Sequence, residues 1–525
     1  MGACESQNRK LNSREFFRVA KTQNEEINYF DNPKNKIKLE FTIEHCTIND
    51  RYQVLAQFLD SGVEPLYTEE AKTRFKSITF NTCYICDFFF QKQQKMKVSI
   101  IKNGTLLGSM NYYLGMIVGS ENSTLTLKIS PNEKEYITIS AEGVNNCNSS
   151  LMINFRIITK KGVNFQDRKN KFSYYISTNG RKVYQSESLS VYGMLKNAHI
   201  PVGLLEPNFE ITFLNSQQKK IVSKLETINS FLQQQDKTYL TLNINNNEYE
   251  IFNRSQIFQE YSFIDYLKNG VQLALSIGID FTASNGKIDD PNSLHYISPG
   301  RYNDYEQAIR SCGFVIAFYD YDQLFPVYGF GAIIDISVPK VNMCFNINFQ
   351  QNPNIYTIDN VINVYHKCLQ RIILAGPTEF CPIIRKEIDT IRKENNPLNY
   401  HVLMILTDGI IVDQQATIDA IVEASFLPFS LIVVGIGNDY FQEMIELDGD
   451  VKPLISTNGI KRMRDIVQFV HFNTYKNDPN GIAAKVLEEI PKQVVEYYTI
   501  FNIVPNNLKA AQIRTHTMME KYKIK

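Results

Sequence analysis

Apolar positions along the chain follow two different rhythms. From Ile37 to Val144 they come in short, mostly alternating runs: Ile37–Ile43, Tyr52–Phe58, Tyr84–Phe90, Met96–Ile101 and Tyr136–Ala141. The runs are rich in Ile, Phe, Tyr and Thr and are parted by Asn, Gly, Ser and Asp. Alternation sends every second side chain to one face, so the pattern predicts an antiparallel sandwich. A second series follows at Leu151–Ile158, Phe172–Ile176, Asn208–Phe213, Tyr239–Ile244 and Tyr249–Phe252. Two sandwiches of about 110 residues each fit this span.

The rhythm changes near Tyr261. An amphipathic turn, Tyr261–Lys268, leads into the apolar strand Gln272–Phe281. Helical spacing is read over Tyr302–Cys312, Val361–Leu374, Pro382–Glu394 and Gln414–Ala424. Met343–Phe349 is strand-like, and His401–Thr407 and Phe429–Ile436 are continuous apolar strands. Strands alternating with helices predict a doubly wound, Rossmann-like parallel sheet covered on both faces. Ligands of such sheets sit at the carboxyl ends of the strands.

Three remote segments fall at such ends. Asp280-Phe281-Thr282-Ala283-Ser284 spaces a carboxylate and two hydroxyls at alternate positions, which share a face in extended chain. Thr407-Asp408-Gly409 ends a later buried strand with a second carboxylate, and Gly376-Pro377-Thr378 offers a third hydroxyl. Asp280, Thr282, Ser284, Thr378 and Asp408, completed by water, make an all-oxygen shell suited to a hard octahedral ion, Mg²⁺ or Mn²⁺. So few carboxylates leave the ion ready to accept an acidic residue from a partner. Taken singly, each segment also reads as a helix cap or a turn.

Charge narrows the partners. Lysine and arginine (55) balance aspartate and glutamate (55), which gives no support to a nucleic-acid partner. Hydrophobic residues make up 43% of the 525, enough for packed cores. The nine cysteines are scattered, and Cys83–Cys86 is a lone C-x-x-C that reads as two thiols on a partly buried strand in a reducing compartment. No apolar run approaches the ~20 residues of a membrane span, and no secretory signal is expected after Met1.

The start has its own chemistry. Met1-Gly2-Ala3-Cys4-Glu5-Ser6 fits the N-myristoylation pattern on Gly2, with Cys4 placed for S-palmitoylation. One acyl chain holds a membrane marginally, so a second signal matters. Arg9, Lys10, Arg14, Arg18 and Lys21 add attraction to an anionic leaflet.

Blocks in the C-terminal half carry a resemblance: DFTASN (280–285), SLHYI (293–297), FPVYGFGA (325–332), GPT (376–378), LTDGII (406–411), VGIG (434–437), LDGD (447–450), RDIVQF (464–469) and EIPKQVV (489–495). In this order they resemble the copine family, and YSFIDYL (261–267) resembles its lead-in. The resemblance implies two C2 domains ahead of a copine-type von Willebrand factor A domain. It implies a metal-ion-dependent adhesion site on Asp280, Thr282, Ser284, Thr378 and Asp408, calcium-dependent binding to phospholipid, and recruitment of intracellular protein partners at the inner face of the plasma membrane.

The C2-like loops depart from the family's pattern. Only Asp50 and Asp167 stand near calcium-binding positions, and Ile100–Met110 and Phe213–Lys219 carry no carboxylate. Calcium binds through about six to eight oxygens, so tight binding is not expected at either unit. The lipid anchor and lysine-rich strand faces are left to do the membrane work. The expected organisation is an anchor segment (1–35), a first C2-like domain (36–147), a second (148–256), the copine-type domain (257–500) and a basic tail (501–525). The expected function is a non-enzymatic peripheral membrane adaptor. The alternatives are a constitutively lipid-anchored scaffold and a relative of copine-domain ubiquitin ligases without its RING, since residues 492–525 hold His516 and no cysteine. An extracellular adhesin is disfavoured by the missing signal.

Overall fold

The computed structural model describes residues 35–59, 65–130, 132–144, 149–159, 171–187, 189–190, 198–202, 205, 207–244, 247–449, 454–476 and 478–510. Gly2, Cys4, the basic arm after them, Asp167 and the tail from 511 lie outside these residues.

The first unit is two facing antiparallel sheets. In one, Asn35–Glu44 pairs with Tyr136–Gly143, Leu39 opposite Ala141. In the other, Arg51–Phe58 pairs with Lys95–Lys102, which turns through Asn103-Gly104 into Thr105–Tyr113. Alternation is faithful: Ile37, Leu39, Phe41 and Ile43 face Tyr52, Val54, Ala56 and Phe58 across the core, all buried. The second unit repeats the principle with a separate core around Leu151, Phe155, Tyr174, Phe213 and Tyr239. Its last strand, Gln256–Gln259, pairs with Ser149–Ile153, so this unit's pairing reaches three residues past 256.

The third unit is α/β. Its sheet runs, edge to edge, through Phe345–Asn346, Leu324–Phe330, Gln272–Asp280, Asn399–Thr407, Phe429–Gly435 and Val467–His471, with the last five parallel. Both faces are covered, and for that reason these strands are mostly apolar. Leu403 and Ile405 point into one core with Leu431 and Val433. Val402, Met404 and Leu406 point into the other with Ile432 and Val434. A short helix, Phe263–Lys268, capped by Ser262, starts the unit. Its Tyr266 stacks on Tyr498 of the helix Ile490–Ile500 at 4.7 Å, closing the unit's beginning on its end.

Two elements differ from expectation. Met343–Phe349 pairs only at Phe345–Asn346, because this edge is antiparallel and brief. The helix read over Val361–Leu374 spans Ile358–Leu369, and Ile373–Leu374 instead pairs with Ala332–Ile333 in a small separate sheet. Cys83 and Cys86 flank Tyr84 at the strand Tyr84–Phe88, and burial pushes the Cys86 thiol up to about 12.

The first and third units share one continuous core. Phe90 meets Phe263 at 5.2 Å and Tyr319 at 4.8 Å, and Tyr113 stacks on Phe318 at 5.4 Å. The backbone approach is so close at Gly119 that a Cβ there would lie 1.9 Å from the Phe318 carbonyl oxygen.

Candidate metal centre

The central strand Gln272–Asp280 delivers Asp280 at its carboxyl end, and the neighbouring strand Asn399–Thr407 delivers Thr407 and then Asp408. A single turn of 3₁₀ helix, Ala283–Asn285, follows Thr282 and swings Ser284 back over the strand end. The third segment is fastened by backbone: Ala283 N–H donates to Ala375 O at 2.7 Å, and Val412 N–H to Thr378 O at 3.0 Å. Gly331 lies against Thr282, where any Cβ would come within 2.3 Å of its methyl.

The five predicted side chains meet. Thr282 donates through N–H and hydroxyl to Asp280 Oδ1 at 2.9 and 2.6 Å. Its Oγ1 is 2.9 Å from Ser284 Oγ and 3.5 Å from Thr378 Oγ1. Ser284 Oγ donates to Asp408 Oδ1 at 2.9 Å, and Thr282 Oγ1 lies 3.5 Å from the same oxygen. Asp280, Thr282, Thr378 and Asp408 are buried, while Ser284 is exposed and opens the cluster to solvent.

Electrostatics decide whether a cation fits. Burial, then the neighbouring Asp280 charge, pushes the Asp408 carboxyl up to about 7. Burial also raises Asp280 despite three hydrogen bonds from Thr282 and Thr407. Two carboxylates forced together in a dry site favour a proton or a cation between them. Hydroxyl and carboxylate oxygens suit a hard divalent ion, so the residues present fit Mg²⁺ or Mn²⁺. Among the described residues no group of three His, Cys, Asp or Glu side chains is placed to hold a metal. This donor set is hydroxyl-rich instead.

Sequence reasoning missed the supporting residues. Thr407 donates to Asp280 Oδ2 at 2.6 Å. Asn285 Nδ2 donates to Asp408 Oδ1 at 2.9 Å, and Asn285 Oδ1 accepts from Tyr305 at 2.7 Å. Buried His295 lies 2.8 Å from the Asp280 carbonyl oxygen through Nε2 and 2.7 Å from Tyr365 OH through Nδ1, and stacks on Tyr305 at 4.4 Å. A carbonyl only accepts, so Nε2 donates. Burial lowers the ring's pKa to about 3, so it is neutral and Nδ1 accepts from the tyrosine. Asn285 and Thr407 adjoin predicted ligands and were within reach of the motif; His295 lies in the SLHYI block, which gives no sign of its role, and Tyr305 left no signal.

The loop aspartate Asp50 is differently placed. Asn103 Nδ2 donates to it at 3.0 Å and the Lys102 ammonium stands at 3.3 Å, and these hold its carboxyl below the usual range.

Fold and site together define a class: two C2-type β-sandwiches and an α/β unit of von Willebrand factor A type with an oxygen cluster at its strand ends. Residues 293–506 match the family model described as Copine, and the α/β unit is a copine domain. The match contains Thr378 and Asp408 and begins after Asp280, Thr282 and Ser284.

Solved structures resemble parts of the chain. Extended-Synaptotagmin 2, in a structure holding its SMP domain and two C2 domains, matches at 11% identity over 44% of this chain, TM-score 0.19, and the match spans 58% of that chain's length. The manganese-loaded TRAP protein of Plasmodium vivax matches at 13% over 39% of this chain and 70% of that one, TM-score 0.25. Proximal thread matrix protein 1 of the mussel byssus, with a zinc-occupied MIDAS motif, matches at 14% over 43% and 48%, TM-score 0.25. Among the described residues no helix is long and apolar enough to cross a membrane.

Proposed function

We propose that the protein is a copine-like peripheral membrane adaptor whose α/β unit recruits protein partners through a divalent cation. The observation that carries this is the convergence of Asp280, Thr282, Ser284, Thr378 and Asp408, from three remote segments, into one network of contacts of 2.6–3.5 Å centred on Thr282. Mg²⁺, or Mn²⁺, would be held there, with water and an acidic residue of the partner filling the remaining positions. A shallow open groove beside the cluster is bordered by Ala283, Ile288, Ile373 and Leu374 and by the charged Lys287 and Asp289.

Membrane residence would come from an N-myristoyl group on Gly2, reinforced by S-palmitoylation at Cys4, at the inner face of the plasma membrane. The two sandwiches add contact with anionic phospholipid. The domain boundaries set out above are part of this proposal. No catalytic role is assigned to any residue.

Isothermal titration with Mg²⁺ tests the reading. Saturable binding by the full chain, abolished by Asp408→Ala or Asp280→Ala, is expected. Equal affinity in wild type and both variants would refute it. For the anchor, Gly2→Ala is expected to move the protein from membrane to soluble fractions in cells.

A further inference from the structure

At one end of the first sandwich three loops meet: His45–Asp50, Thr73–Lys76 and the hairpin Asn103-Gly104. The first two are bonded through their backbones. Cys46 N–H donates to Lys76 O at 2.7 Å, Thr73 N–H to Asp50 O at 2.9 Å, and Asn49 N–H to Thr73 O at 3.0 Å. Asn103 ties in the hairpin, accepting from Arg51 N–H at 2.9 Å and donating to Asp50 at 3.0 Å.

Two large apolar side chains stand on this braced end. Phe75 is 74% exposed and Ile48 is 53% exposed. Phe75 sits between Arg74 and Lys76, with Lys72 and Arg51 close by in paired strands, and all four cations are exposed. Of these, among the described residues, Arg51 alone has a carboxylate in reach, Glu70 at 3.5 Å.

Beneath them, an ammonium of the chain itself lies between the loop carboxylate Asp50 and the buried Glu135. Lys102 Nζ lies 3.0 Å from Glu135 Oε1, 3.3 Å from Asp50 Oδ2 and 3.2 Å from Thr47 Oγ1. Glu135 is fully buried, and Tyr52 OH donates to the same oxygen at 2.9 Å. Asp50 and Glu135 share the single charge of an ammonium that cannot dissociate from the chain, which weakens their pull on calcium.

We propose that this end is a calcium-independent docking tip for anionic bilayers, with Ile48 and Phe75 entering the headgroup boundary, Arg51, Lys72, Arg74 and Lys76 meeting lipid phosphates, and Lys102 serving as a tethered cation in place of calcium. The proposal rests on the membrane-adaptor reading and names the surface that would carry it. Aromatic and aliphatic tips ringed by cations match a surface that is anionic outside and apolar a few ångströms in.

The test is sedimentation of the full chain, produced without an acyl transferase, with phosphatidylserine–phosphatidylcholine vesicles. Binding is expected to be the same in excess calcium and in chelator. Ile48→Ser with Phe75→Ser, and separately Arg74→Gln with Lys76→Gln, should each weaken it about tenfold. All four residues are exposed, so melting curves should match the wild type. Binding that requires calcium, or that is unchanged in the Ile48/Phe75 variant, overturns the proposal and leaves the adaptor reading intact. If no form binds vesicles even with acyl transferase co-expressed, both readings fall.

Discussion

Asp408 is where the chemistry of this protein is most exposed to measurement. An unfolded aspartate titrates near 3.8, whereas burial and Asp280 raise the folded carboxyl to about 7. The metal-free fold therefore keeps a proton that the unfolded chain has given up. The stability this provides is complete below about pH 3.8 and is lost as pH rises through about 7. A divalent cation bound there would take the proton's place, so its effect would grow over the same interval. Differential scanning fluorimetry should find the metal-free protein less stable at about pH 8 than at about pH 6, with Mg²⁺ raising the melting temperature more at the higher pH. Asp408→Asn should stabilise the metal-free protein at about pH 8 by on the order of 1–3 kcal/mol and remove the response to Mg²⁺. Asn285 holds the same carboxylate from behind. Asn285→Ala should weaken metal affinity about 10–100-fold in calorimetry while every ligand remains.

At the scale of elements, the strand ends were legible because chain pattern and chemistry coincide there. A buried parallel strand is a continuous apolar run, and the first polar residue after it marks the functional edge of the sheet. Asp280 and Asp408 both stand at such breaks. What the sequence hid depends on contacts between remote segments. His295 acts through a backbone carbonyl, which any residue type could supply. Ile373–Leu374 looks like the continuation of a helix until Ala332–Ile333 is placed beside it. Lys102 reads as an ordinary strand-end lysine until Asp50 and Glu135 close around it. The junction of the first and third units was also hidden, because Phe90, Tyr113, Phe318 and Tyr319 are ordinary core aromatics in a linear reading. That junction makes a sharp prediction. Gly119→Ala forces apart backbone that is in van der Waals contact with Phe318, a site with no flexible side chain to yield. Calorimetry should show the first and third units unfolding together in the wild type and in separate transitions in Gly119→Ala.

For the whole molecule, one continuous core joins the first sandwich to the α/β unit, while the second sandwich keeps a core of its own. A membrane held at the loop end of the first sandwich would therefore fix the orientation of the copine domain. The proposed recruitment of partners by that domain rests above all on a cation over the carboxyl ends of the parallel strands. Crystals of the full chain soaked in Mn²⁺ test for it by anomalous diffraction. A strong peak is expected about 2.0–2.2 Å from oxygens of Ser284 and Thr282, with Asp408 in direct or water-bridged contact. Full Mn²⁺ exposure with no anomalous density between Asp280, Ser284 and Asp408 would rule the metal centre out.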